Sequence, residues 1–195
     1  IDGKVLRRSH DHGVGKAAID MVSAWATENH LVLGQVKVDE KSNEITAIPE
    51  LLRILDISGC IITIDAMGCQ TEIAKQIVDL EADYLLAVKG NQPHLHEDIE
   101  LFFRLAHQNG FQKVDYTHER TVNKGHGRIE IRHCWAISGQ DSLQFLRDHM
   151  QWEGLQTIAE VQNHRQVNGK TTRETRYYVS SMPNDAKKLL HAARS

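Results

Sequence analysis

The spacing of apolar positions changes several times along the chain, and each change predicts a different element. Near the start, "DGKVLR" (2–7), "AAIDMVSAWA" and "LVLGQVKVD" read as three strands. The first enters a polar loop, "RSHDHGVGK", and the other two flank a hairpin at "TENH". In "EITAIPELLRILDI" the period becomes helical, with Ile48, Leu51, Leu52 and Leu55 at i, i+3, i+4, i+7 and Pro49 near the first turn. "CIITI" (60–64) is almost wholly apolar and β-branched, the signature of a strand buried on both faces. "QTEIAKQIVDLEA" returns to a helix, with Ile73, Ile77 and Leu80 on one side and Thr71 or Cys69 near its cap. "DYLLAVKG" is a strand ended by Gly90, and "PHLHEDIELFFRLAHQ" is a helix opened by Pro93 with Leu95, Ile99, Phe102 and Phe103 inward.

From residue 111 onward, polar and apolar residues alternate. "FQKVDYTHERTV", "GRIEIRHCWAI", "LQTIAEVQNHRQVNG" and "TTRETRYYVSS", separated by Gly or Asn-Gly turns, predict antiparallel strands. "NDAKKLLHAARS" then opens a last helix, capped by Asn184 or Asp185. The order β-β-β-α-β-α-β-α, a β-rich stretch and α predicts an α/β protein with a mixed five-stranded sheet and helices on both faces. That is a ribonuclease H-like arrangement, one of several α/β options the pattern allows. The expected divisions are a ribonuclease H-like core over 1–110, a β-rich insertion over 111–182 before the last helix, and the truncated start of a final core helix over 183–195. Both ends read as cuts through structure, as in a piece of a longer protein.

Composition narrows the class. With 41% apolar and 25% charged residues among 195, the chain has the material for a globular core. No apolar run approaches the roughly 18 residues of a membrane span, so no membrane partner is expected. A net charge of −3 means that any contact with nucleic acid is made by local patches. Cys60, Cys69 and Cys134 are odd in number and form no CxxC pair, which fits reduced thiols in a cytoplasmic protein. Among the histidines, "HDH" (10–12) falls in a loop and "HLH" (94–96) places its pair on diverging helix faces, so neither makes a persuasive zinc site. Trp25, Trp135, Phe102, Phe103 and Tyr178 are expected to pack.

Candidate chemistry centres on Asp65, directly after the apolar strand. Ligands gather where strands of an open α/β sheet end, and Asp2 belongs to the first strand. If the two strands are neighbours, the carboxylates converge and repel, unless a divalent cation sits between them. Magnesium favours carboxylate oxygens, and a pair of such ions can drive phosphodiester hydrolysis. A strand-terminal Asp before a helix is also a common cap. If it is a buried carboxylate, it needs a raised pKa or a cation such as Lys4 or Lys89 beside it.

"IDGKVLR", "ITIDAMGCQTEIA", "DYLLAVKGNQPHL", "GHGRIEIR" and "RYYVSS", in this order, resemble the catalytic domain of bacterial insertion-sequence transposases of the H-repeat-associated (ISAs-type) DDE group. The resemblance implies a ribonuclease H-like core that cuts and transfers DNA strands with two Mg²⁺ (or Mn²⁺) ions. It matches Asp2 to the first acid of the triad and Asp65 to the second. The third is a glutamate in a segment resembling "HWxIEN", shortly after an "AAR" stretch, and the chain stops at "HAARS". The expectation is therefore a third ligand beyond Ser195 and an isolated piece that is inactive, with Glu130 and Glu174 as the nearest substitutes. Lys89, Asn91 and Gln92 in "KGNQ" are expected to meet the phosphate backbone or a flanking base, and Lys124, His126, Arg128 and Arg132 in "NKGHGRIEIR" to belong to a DNA-facing loop. The implied partners are transposon-end and target DNA and a second copy in a homodimer. The alternative is an inactive transposase remnant that only binds DNA or self-associates.

Overall fold

A computed structural model describes residues 1–5, 20–26, 31–38, 44–125 and 127–194. His126, the "RSHDHGVGK" loop and the "TENH" connection lie outside the described residues. The leading strands β1 (Asp2–Val5), β2 (Asp20–Ala26) and β3 (Leu31–Lys37) form an antiparallel sheet in that order. α1 (Glu44–Ile54) packs its fully buried Leu51 and Leu52 beneath them. Pro49 falls inside α1 rather than in its first turn. It cannot donate to the helix, but its own carbonyl accepts from Gln76 Nε2 at 2.9 Å.

β4 (Ile61–Ile64) leads through a single 3₁₀ turn at Ala66–Gly68 into α2 (Thr71–Asp79). β5 (Asp83–Val88) pairs parallel to β4, and α3 (Pro93–Gln108) follows. Gln70 is the N-cap of α2, without a side-chain cap bond, and Cys69 and Thr71 flank it. Four long strands come next: β6 (Asp115–Gly125), β7 (Arg128–Ser138), β8 (Thr157–Val167) and β9 (Lys170–Ser180). A one-turn helix, α4 (Gln140–Leu143), interrupts them, and α5 (Ala186–Ala192) closes the described chain. Asp185 caps α5, accepting from the amides of Lys187 and Lys188 at 3.1 Å each.

The described strands do not form the mixed five-stranded sheet that the pattern predicts. Hydrogen bonding gives the three-stranded sheet and a six-stranded one, ordered β4-β5-β9-β8-β7-β6. The strands expected as an insertion prolong the sheet that carries Asp65, because β9 pairs antiparallel with β5. The "YYVSS" motif fastens that seam: Ser180 Oγ donates to the Tyr84 carbonyl at 2.6 Å, and Ser181 Oγ to Asp83 Oδ1 at 2.7 Å. The two sheets meet where the Ile1 nitrogen donates to the Thr63 carbonyl at 2.7 Å, beside β4.

Helices do cover both faces. One core joins α1, α2 and α3 to Ile62, Ile64, Tyr84 and Leu86, and the other sets α5 on Leu85, Cys134, Ala159 and Tyr178. β4 is not buried on both sides: Ile62 and Ile64 are buried, Thr63 is half-buried and Ile61 exposed. Beyond the helices, one face of β7 carries Glu130 among Arg132, Arg128 and Arg165. Burial would raise the Glu130 carboxyl, but the arginines outweigh it and hold it below the usual range. Among the described residues no helix is long and apolar enough to cross a membrane.

Candidate active site

Asp65 occupies the step between β4 and the 3₁₀ turn. Its extended backbone makes it the N-cap, and Oδ1 accepts from the Met67 amide at 3.1 Å. The capping role and a ligand role are compatible, since the cap engages one carboxylate oxygen. Asp65 is exposed, not buried, so it needs no neutralising partner in the folded chain. Lys89 lines the same cavity but makes no salt bridge with it among the described residues, and the Lys4 side chain lies outside them.

Three other residues fix the turn. A Cβ on Gly68 would run into Ile64 Cγ2 and come within 2.9 Å of Ile48 Cδ1, so only glycine lets the turn fold back onto β4 and α1. Asn91 Nδ2 donates to the Ala66 carbonyl at 2.5 Å, and Gln92 Nε2 to the Cys69 carbonyl at 2.9 Å. The amides expected to meet DNA are thus committed to the Asp65 turn. Gly68→Ala is expected to destabilise the fold by about 1–3 kcal/mol, as overpacking does, and a thermal melt would read this as a lower Tm.

Asp2 lies at the start of β1, also exposed. Asp2 and Asp65 line one cavity of about 490 Å³ with Lys89, and the Ile1 nitrogen is within electrostatic reach of both. Glu174, Arg176 and Tyr178 of β9 and Ala192 of α5 form another wall. Arg176 Nε donates to Glu174 Oε1 at 2.8 Å. Among the described residues no three of His, Cys, Asp and Glu gather closely enough to hold a metal, so Glu174 does not complete a triad with the aspartates. Glu130 does not line this cavity; it is spent on its arginines. Arg128 and Arg132 share a strand face, as expected for extended chain, and both turn toward Glu130.

Arg176 is absent from the residues singled out by sequence, and Tyr178 was expected only to pack. Strand alternation places them with Glu174 on one face, but only the pairing of Ala87 with Tyr178 carries that face to the Asp65 side of the sheet. Trp25, expected to pack, is half exposed at 50% and lines the cavity. Burial pushes the Cys69 and Cys134 thiols up to about 12, so neither is a nucleophile or ready metal ligand.

Residues 1–182 match the family described as "Transposase DDE domain". The chain is 46% identical over 198 residues to the candidate transposase YncI of Escherichia coli O157:H7, covering 100% of this chain and 50% of that protein. It is 42% identical over 200 residues to the H repeat-associated candidate transposase YhhI of Escherichia coli K12, covering 100% and 51% respectively. A protein from the dhlA 3′ region of Xanthobacter autotrophicus is 40% identical over 188 residues, covering 95% of this chain and 60% of its own length. The chain therefore spans 50% to 60% of these relatives. No solved structure matches it.

Proposed function

This chain belongs to the transposase DDE domain family, and from that premise we propose that it supplies Asp2 and Asp65 as two of the three acids of a two-metal DNA-cutting site. The observation that carries the reading is the shared cavity: two exposed carboxylates, distant in sequence, line one space at the junction of the sheets. Their oxygens suit Mg²⁺ or Mn²⁺, since carboxylates favour such hard cations. When bound, the ions would supply activation of a water or 3′-hydroxyl and charge stabilisation at the leaving oxygen.

The chain's own groups do the positioning. Gly68, Asn91 and Gln92 hold the Asp65 turn, so the carboxylate meets its ligand without reorganising. Lys89 places one positive charge on the cavity wall for a phosphate, and Glu174 aims the Arg176 guanidinium along another wall. The third acid would come from chain continuing past α5, whose Ala192 already reaches the cavity; on its own this piece would be inactive. In the longer protein the substrates would be transposon-end and target DNA, handled by a homodimer. Lys124, His126, Arg128 and Arg132 remain proposed DNA contacts, the last two only if they partly leave Glu130.

Manganese binding to this chain, followed by proton relaxation enhancement, tests the carboxylate pair directly. Weak binding that falls about tenfold or more in Asp2→Asn, equal to about 1.4 kcal/mol, is the expected result. Equal enhancement by wild type and variant would remove Asp2 from the site.

A further inference from the structure

The face of β6–β9 opposite Glu130 carries an unusual group of residues. β6 contributes His118, Arg120 and Lys124, β7 His133 and Trp135, β8 His164, and β9 Arg173. The register places them together: Arg120 opposes His133, His118 opposes Trp135, and His164 opposes Arg173. His118, Arg120, Lys124 and Arg173 are exposed, and His133 and His164 are half-buried. The rings of His118, His133 and Trp135 stack, with His118 and His133 5.4 Å apart at 16°. His118 Nε2 and His133 Nδ1 lie 3.1 Å apart, so one donates to the other and a further proton breaks that bond.

Among the described residues, no carboxylate faces this group on the same strand faces beyond Glu160, which is buried and already bound to His107 Nε2 at 2.7 Å. On α3, the charges of Glu100 and Arg104 act on Tyr177. No salt bridge is formed by Arg120, Lys124 or Arg173 among the described residues. The other face of the same strands is balanced by Glu130 and Glu174. Cations without counter-charges, beside flat rings, suit a phosphate backbone.

We infer that this face is a second nucleic-acid surface, separate from the carboxylate cavity, that grips the DNA backbone and tightens as pH falls. The inference rests on DNA being the substrate class, though not on the metal chemistry. Burial lowers the His133 pKa, and the charges of His118, Arg120 and His164 lower it further, so the free protein resists protonation here. A bound phosphate reverses that bias. Binding then takes up protons, and affinity rises as pH falls through and below the ordinary histidine range.

The test is anisotropy of a labelled duplex of arbitrary sequence with this chain, in EDTA at about 0.1 M salt. Between pH 8 and pH 6 binding should tighten about eightfold, the worth of one added phosphate contact at that salt. The combined variant His118→Asn, His133→Asn, His164→Asn should lose the pH response, read as the ratio of its affinities at pH 6 and pH 8. Arg120→Gln with Arg173→Gln should bind more weakly at both values and show a shallower salt dependence. If the triple variant does not fold, His118→Gln alone, at an exposed site, should still blunt the response. A pH response that survives these histidine changes, or an arginine variant that binds like wild type, would overturn the inference. So would polyglutamate displacing the duplex as well as unlabelled DNA does, which would reassign the face to an acidic protein. The binding is read in EDTA, without the metal that the carboxylate cavity needs, so failure here is distinguishable from failure of the cutting site.

Discussion

Asp65→Asn, in the full-length protein that carries this chain, is expected to lower metal-dependent cleavage of end-bearing DNA by at least about 10³-fold, or about 4 kcal/mol of transition-state stabilisation. The substitution is informative because asparagine caps a helical turn about as well as aspartate. The bond from the Met67 amide to Oδ1 has a direct replacement, and the turn is independently held by Gly68, Asn91 and Gln92. The fold and melting temperature should therefore be unchanged, while the charge proposed to attract the ions is lost. Cleavage at the wild-type rate by a well-folded variant would take Asp65 out of the chemistry and leave it as a cap.

Glu130→Gln is expected to do the opposite, reducing stability with little direct effect on the cavity. Removing one partner of a fully buried ion pair costs roughly 3–5 kcal/mol. Here Arg132 is 16% exposed, but Arg128 and Arg165 are about half in water, so about 2–3 kcal/mol is the scale to expect. A drop of about 5–10 °C in Tm would register it. The pH dependence has a defined sign. The folded carboxyl titrates below its unfolded value of 4.5, so its stabilisation is complete above that pH and is lost as pH falls through the lowered value. Wild type and variant should converge in strongly acidic buffer. Lost cleavage with an unchanged Tm would instead make Glu130 a metal ligand.

Much of this was legible in the residues because it depends on local period. The helical spacing of Ile48, Leu51 and Leu52 and the alternation after residue 111 each generated the element found there. Asp65 could be picked out because an acid following "IITI" is chemically out of place. What could not be read was pairing. Alternation shows that β9 is a strand, but not that it lies against β5, and so the sheet was expected to stop at five strands. For the same reason Arg176 and Tyr178 could not be assigned to the cavity. Asn91 and Gln92 were legible as polar groups near Asp65, but their bonds to the carbonyls of Ala66 and Cys69 depend on how two loops meet. Whether Asp65 is buried or exposed could not be read, because an apolar strand says nothing about the open space beside its last residue.

The seam between β5 and β9 also governs when the protein can assemble. Tyr84 and Ser181 bond across 97 positions of chain, the kind of remote contact that makes folding slow. During synthesis, β5 emerges with its inner edge bare and stays so until the ribosome has passed the serines. A nascent chain halted before that point would carry both aspartates on an unfinished platform, vulnerable to misassembly with other unfinished chains.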